Sequence, residues 1–148
     1  MAPILALENI SKRFGAVVVA DGIDLALNEG EALGIIGPNG AGKTTLFGIA
    51  TGTVAPDAGR VLYAGEDITR LPPERRCRKG IARSFQIPQP FSGMTVFENV
   101  VVAAAFGGGA SEASVYDACA DLLTRCGLAD KANRRAGSLT LLDRKRLE

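Results

Sequence analysis

The chain has 148 residues, of which 47% are hydrophobic and 22% charged, the balance of one packed domain rather than a disordered chain. A formal net charge of +1 argues against a global basic field for nucleic acid and against an acidic tail for a basic partner. Cys77, Cys119 and Cys126 are odd in number and lack metal-ligand spacing, so they read as reduced thiols in a cytoplasmic protein. The first residues meet an acid at Glu8 without a basic run, so no signal peptide is expected. The longest apolar segment, Val100 to Phe106, is too short to cross a bilayer, and any service to a membrane would come from its side.

In chain order, Leu5 to Ile10 and Ala16 to Ala20 read as short strands around a turn at Ser11-Lys-Arg-Phe-Gly15. The run Glu31-Ala-Leu-Gly-Ile-Ile36 reads as a buried strand. Gly37-Pro-Asn-Gly-Ala-Gly-Lys-Thr-Thr45 follows it, and Leu46 to Ala50 continues as a helix. Pro56 to Gly59 is a turn, Arg60 to Tyr63 a strand, and Pro72 and Pro73 open a short basic helix that runs to Lys79 and stops at Gly80. Ile81 to Gln86 reads as another strand.

The texture then changes. Ile87 to Gly93 is loop, and Thr95-Val-Phe-Glu98 is a capping box that opens a helix through about Phe106. Gly107 to Gly109 breaks it. A second helix from Ser111 to Cys126 carries an apolar face of Val115, Ala118, Cys119, Leu122, Leu123 and Cys126, with Gly127 as its stop. Cys119 and Cys126, seven residues apart, share that face as packing residues. Thr140 to Asp143 is a further capping box at the head of a short helix. The domain reading is one partial domain over 1–148, with an α/β core over 1–87 and a helical subdomain over 88–148.

The segment Gly37 to Thr45 fits G-x-x-x-x-G-K-[ST], a P-loop, and stands where such a loop must stand, between a strand and a helix. Glycines let successive N–H groups turn toward one anion, and the helix end adds its positive pole. Lys43 can reach outer phosphates and the Thr44 hydroxyl can hold Mg²⁺. The loop as a whole, Gly37, Pro38, Asn39, Gly40, Ala41, Gly42, Lys43, Thr44 and Thr45, is the expected nucleoside triphosphate cradle. The implied fold is an α/β P-loop NTPase core, its mixed sheet carrying antiparallel strands over residues 5 to 28 and a parallel part around the P-loop strand. An NTPase also needs an acid at the end of a later apolar strand, and none follows the P-loop here. The only comparable string, Val17-Val-Val-Ala-Asp21, lies upstream and reads as a strand entering a turn. The chain is therefore expected to be a C-terminally truncated piece of a longer domain, with an unpaired sheet edge, exposed apolar surface and poor stability or a tendency to associate.

With these features in order, the sequence resembles the ATP-binding subunits of ABC transporters nearly end to end. Phe14 matches the family's aromatic that stacks on adenine, with a core aromatic as the alternative that spacing alone leaves open. Gln86 matches the Q-loop glutamine, which touches Mg²⁺ or its water and lies where the membrane subunit is sensed; on its own it reads as a solvated amide. The wording from Ile81 to Asn99, and Leu147-Glu148 after Arg-Lys-Arg146, looks like the ATPase of branched-chain amino-acid importers, with lipopolysaccharide-export ATPases as the nearest competitor.

The resemblance implies ATP and Mg²⁺ as cofactors, and Lys43 and Gln86 as catalytic contacts with Thr44 and Gln86 at the metal. It also implies a second ATPase subunit, integral membrane permease subunits and a place at the cytoplasmic face of the plasma membrane. The family's signature, Leu-Ser-Gly-Gly-Gln, corresponds here to Leu139-Thr-Leu-Leu-Asp143. Thr140 keeps a hydroxyl for a contact in trans, or is a plain N-cap; Leu141 and Leu142 replace both glycines. The family's Asp-Glu pair, D-loop and switch histidine have no counterpart, and the chain has no histidine at all. Two readings stay open: an ATPase in the complete protein, or a module that binds nucleotide without turnover. A small-molecule kinase or GTPase is the third, but the Asn-Lys-x-Asp base reader of a GTPase does not occur.

Overall fold

The computed structural model describes residues 2–148 and divides into two compact units, the first ending at Ile81 and the second beginning at Ala82. In the first, β1 (Leu5–Phe14) and β2 (Val17–Leu27) form a hairpin that turns at Gly15, whose φ of 59° suits glycine. β3 (Ala58–Tyr63) pairs with the other edge of β1, and β4 (Glu66–Asp67) closes the order β2-β1-β3-β4. Alternation sets the buried face: Ile23, Leu25 and Leu27 turn inward while Asp24 and Ala26 remain exposed. Leu7, Ile10, Ala20, Val61 and Ile68 form the core, and α1 (Lys43–Thr51) lays Ile49 into it. Gly59 has φ 91°, and a Cβ there would stand 2.4 Å from the carbonyl oxygens of Glu8 and Asn9, so only glycine lets β3 pass the β1 bulge.

Two expected strands do not form. Glu31–Ile36 is neither a strand nor buried: Leu33 is 44% and Ile36 96% exposed. Ile81–Gln86 also lacks strand structure. A strand needs a hydrogen-bonded neighbour as well as apolar residues. Among the described residues all named strands pair antiparallel, and no ladder joins either segment to them. The antiparallel part of the expected sheet is thus present over residues 5–27, and no parallel ladder occurs among the described residues.

The basic helix is α2 (Pro73–Arg78), with Pro at its first position and Gly80 past its end. One of its charges is not a surface charge. Arg76 is 1% exposed, and its guanidinium donates to the carbonyls of Ile49 (2.7 Å), Ala50 (2.9 Å), Thr69 (2.9 Å) and Leu71 (2.9 Å). Gly52 lies against it, where a Cβ would meet Arg76 Nε at 2.8 Å.

In the second unit, α3 (Val96–Val102) opens on the expected capping box, with Thr95 accepting from Glu98 N–H and Glu98 accepting from Thr95 N–H. It runs into one π turn over Ala103–Gly107. The next helix is shorter than its apolar spacing predicts: Glu112–Val115 is 3₁₀, and only Tyr116–Arg125 is α, here α4. Val115, Cys119 and Leu123 pack with Val96, Val100, Val101, Leu128 and Leu139, whereas Ala118 and Leu122 face outward and Cys126 is half-buried. Burial raises the Cys119 thiol above its ordinary pKa, which fits a packing role. α5 (Leu141–Leu147) ends the described elements.

Candidate functional site

The loop Gly37 to Thr45 is shaped by two left-handed glycines, Gly40 and Gly42, both at φ 83°. Ala41 N–H turns back to the Pro38 carbonyl at 3.2 Å, and α1 starts at Lys43 with Leu46 N–H on the Gly42 carbonyl at 3.0 Å. No side chain caps this helix, and its first turn holds no acid. Its leading N–H groups are therefore open to an outside acceptor. Lys43 bends over the loop, its Nζ donating to the carbonyls of Gly37 (2.6 Å) and Pro38 (2.7 Å). Those neutral acceptors hold the ammonium inside the loop without neutralising it. Thr44 stands exposed beside Lys43, and Thr45 is half-buried. The loop's turns and the uncapped start of α1 are thus set by the backbone.

β2 presses on the same loop. A Cβ at Gly42 would lie 2.6 Å from the Val19 carbonyl oxygen, so this glycine is needed for close approach as well as for φ. Phe14 pairs across the hairpin with Val17, two residues before Val19, a step of about 7 Å along a strand. Phe14 is 52% exposed. The ring is outside the packed core of the first unit, on the hairpin that touches the P-loop at Val19.

Gln86 and Thr140 belong to the second unit. Gln86 is exposed, in a bend beside exposed Ile87. Thr140 is the N-cap of α5, but only half of the expected box forms. Its Oγ accepts from Asp143 N–H at 3.2 Å and donates to Asp143 Oδ2 at 3.0 Å. Asp is one methylene shorter than the Glu98 of α3, which reaches the N-cap N–H at 2.6 Å, so here the carboxylate stops at the hydroxyl. Asp143 is 6% exposed and takes a further bond from Lys131 Nζ at 3.0 Å; Lys131 first, then Thr140, hold its carboxyl below its ordinary pKa. Leu141 and Leu142 beside Thr140 are 63% and 60% exposed.

Sequence reasoning missed two organising side chains. Arg76 reads as one more charge in a basic helix, and only the fold directs it to the last turn of α1. Asn99 hides inside the Glu98-Asn99 wording, yet it is 9% exposed: its Oδ1 accepts from Phe91 N–H (2.8 Å) and its Nδ2 donates to the carbonyls of Phe91 (3.2 Å) and Thr95 (2.8 Å). It thereby pins the Pro88 to Gly93 loop onto α3. Among the described residues no helix is long and apolar enough to cross a membrane, and no cluster of His, Cys, Asp and Glu forms a metal site.

Loop, helix and antiparallel sheet define a P-loop nucleotide-binding cassette. Residues 20–148 match the family described as ABC transporter, and the chain belongs to that family. It is 37% identical to the high-affinity branched-chain amino acid transport ATP-binding protein LivG of Salmonella typhimurium, with 99% of this chain and 63% of that protein aligned. It is 36% identical to BraF, of the same description, from Pseudomonas aeruginosa, again over 99% and 63%. Among solved structures, an ATP-binding cassette of an ABC transporter in its ADP conformation superposes with a TM-score of 0.79 at 33% identity, over 99% of this chain and 65% of that one. A dimeric post-hydrolysis cassette bound to ADP and Pi gives 0.81 at 23% identity over 97% and 66%, a likeness of fold alone. The chain spans about 63% of the length of the curated relatives it matches.

Proposed function

We propose that this chain binds MgATP through Gly37 to Thr45 and that the whole protein is the ATP-hydrolysing subunit of an ABC importer for branched-chain amino acids. In this reading Lys43 holds the outer phosphates, Thr44 and Gln86 serve Mg²⁺ or its water, and Phe14 takes the adenine face. The observation that carries it is the uncapped start of α1 behind two left-handed glycines, with the Lys43 ammonium turned into the loop. The donor set fits a phosphate-borne Mg²⁺, because a lone hydroxyl and an amide complete a metal shell that the nucleotide largely supplies. The import of leucine, isoleucine and valine is supported by the names of the similar proteins LivG and BraF. A paired ATPase subunit, integral permease subunits and a position at the cytoplasmic membrane face complete the proposal.

Calorimetric titration of MgATP into the chain tests it. Saturable binding is expected, weakened on the order of 10- to 100-fold in Lys43→Ala, the loss of a charge-assisted contact. Binding unaffected by Lys43→Ala would sink the assignment. A parallel phosphate-release assay separates the two activity readings: this chain is expected to bind without sustained turnover, since the acid, base and histidine of the family pattern have no counterpart in it.

A further inference from the structure

Beside the P-loop, the ring of Phe14 is not free on both sides. Lys12 Nζ stands 5.3 Å from its centroid, within cation–π range. The ammonium is held there, since Lys12 is 15% exposed and donates to Asp57 Oδ1 at 2.7 Å. The other oxygen of Asp57 accepts from Arg13 N–H at 2.7 Å, and Asp57 N–H donates to the Ser11 carbonyl at 2.9 Å. Asp57, just before β3, thus holds Lys12 and Arg13 through its carboxylate and Ser11 through its N–H, immediately before the aromatic. Phe14 as a whole is 52% exposed.

We propose that Lys12, fixed by Asp57, is a positioning residue for base recognition: it covers one face of Phe14 and presents the other to the adenine of the nucleotide. This rests on the reading of Phe14 as the base-stacking residue. Physically, a clamped ring gives up no rotamer freedom when the base arrives, and the base is confined to one face, which fixes the direction in which the phosphates leave toward Gly42.

The test compares MgATP with magnesium tripolyphosphate, which carries the phosphates and no base, by calorimetry on the full chain. Lys12→Met keeps the aliphatic stem. It is expected to weaken MgATP about three- to fivefold while leaving tripolyphosphate within twofold. Asp57→Asn, which keeps Lys12 but loosens its hold, is expected to move MgATP in the same direction and to decide the matter should Lys12→Met fold poorly. In a Phe14→Ala background, Lys12→Met is expected to do nothing further. Equal losses for both ligands would mark Lys12 as structural only and overturn the proposal, as would no loss for either. If Phe14→Ala itself leaves MgATP unchanged, the stacking assignment falls together with the clamp. If Phe14→Ala weakens MgATP but Lys12→Met and Asp57→Asn do not, the clamp alone falls.

Discussion

Helix α1 begins behind Gly42 with no side chain on its leading N–H groups and an ammonium beside them. Helix α5 begins behind Thr140, whose hydroxyl is shared with Asp143, and Asp143 in turn is held by Lys131. Backbone geometry gives both ends the same partial positive charge. What separates them is occupancy. At α1 the glycines remove every local competitor and leave the donors to an outside acceptor. At α5 a hydroxyl and a carboxylate have already taken that role, and a second anion would meet Asp143 and two exposed leucines. The two starts thus differ in how many leading N–H groups already have a local partner.

The far end of α1 supplies the largest expected effect. Arg76 satisfies the Ile49 and Ala50 carbonyls in the helix's last turn from inside the core. Arg76→Met would take the guanidinium from the Ala50, Thr69 and Leu71 carbonyls and leave the Ile49 carbonyl with the Gly52 N–H alone. Urea unfolding should show a loss of about 3 kcal/mol, the scale of a broken buried polar network. A loss near zero would mean that water replaces the guanidinium. Next comes Gly42→Ala, which forces an L residue to φ 83° and a methyl to within 2.6 Å of the Val19 oxygen. A loss of about 2 kcal/mol is expected, together with weaker MgATP binding, because the loop must shift away from β2. Unchanged binding in a folded Gly42→Ala protein would show that the close approach to β2 plays no part in the cradle.

These two residues also show where the sequence could be read and where it could not. Gly42 was legible because the demand on it is local: a left-handed turn, a fixed spacing to Lys43 and a helix after it. Thr95 and Glu98 were legible for the same reason, and so were the proline start of α2 and the glycine stops, whereas β1 runs on through Ser11–Phe14 and β3 begins at Ala58, where turns were expected. Arg76 was not, because its acceptors come from α1 and the turn after β4, which only folding brings together. Glu31–Ile36 failed in the opposite way: its composition suits a buried strand, but pairing needs a neighbour that composition does not reveal. Thr140 was legible as a cap, whereas the Lys131 contact that ties up its partner comes from outside the motif.

At the capped end the effects shrink. Thr140→Ala should cost about 1 kcal/mol by loss of the N-cap, Thr140→Ser should restore most of it, and MgATP affinity of the chain should not change. A fall in affinity without a fall in stability would reverse the contrast drawn between the two helix ends.

The smallest effect is one of pH, and its sign follows from Asp143. Lys131 and Thr140 hold its carboxyl below its ordinary value, so the folded chain releases that proton more readily than the unfolded one. The stability this contributes is fully present above the ordinary carboxylate value of about 4 and is lost as pH falls through the lowered folded value. Melting temperature should therefore drop as the buffer is taken from pH 6 toward pH 3, and the drop should be shallower in Asp143→Asn. It should not vanish, since Asp57, Asp67 and Glu98 are lowered too, by Lys12, Thr69 and Thr95 respectively. The first turn of α1 carries no acid, so that helix start has no carboxylate of its own to lose. Acid should accordingly loosen the capped terminus of α5, read by amide exchange at Asp143 and Arg144, before it loosens the start of α1, read at Leu46, its first bonded amide. Exchange that rises first at α1 would mean the glycine loop, not the Asp143 clasp, is the weaker of the two starts.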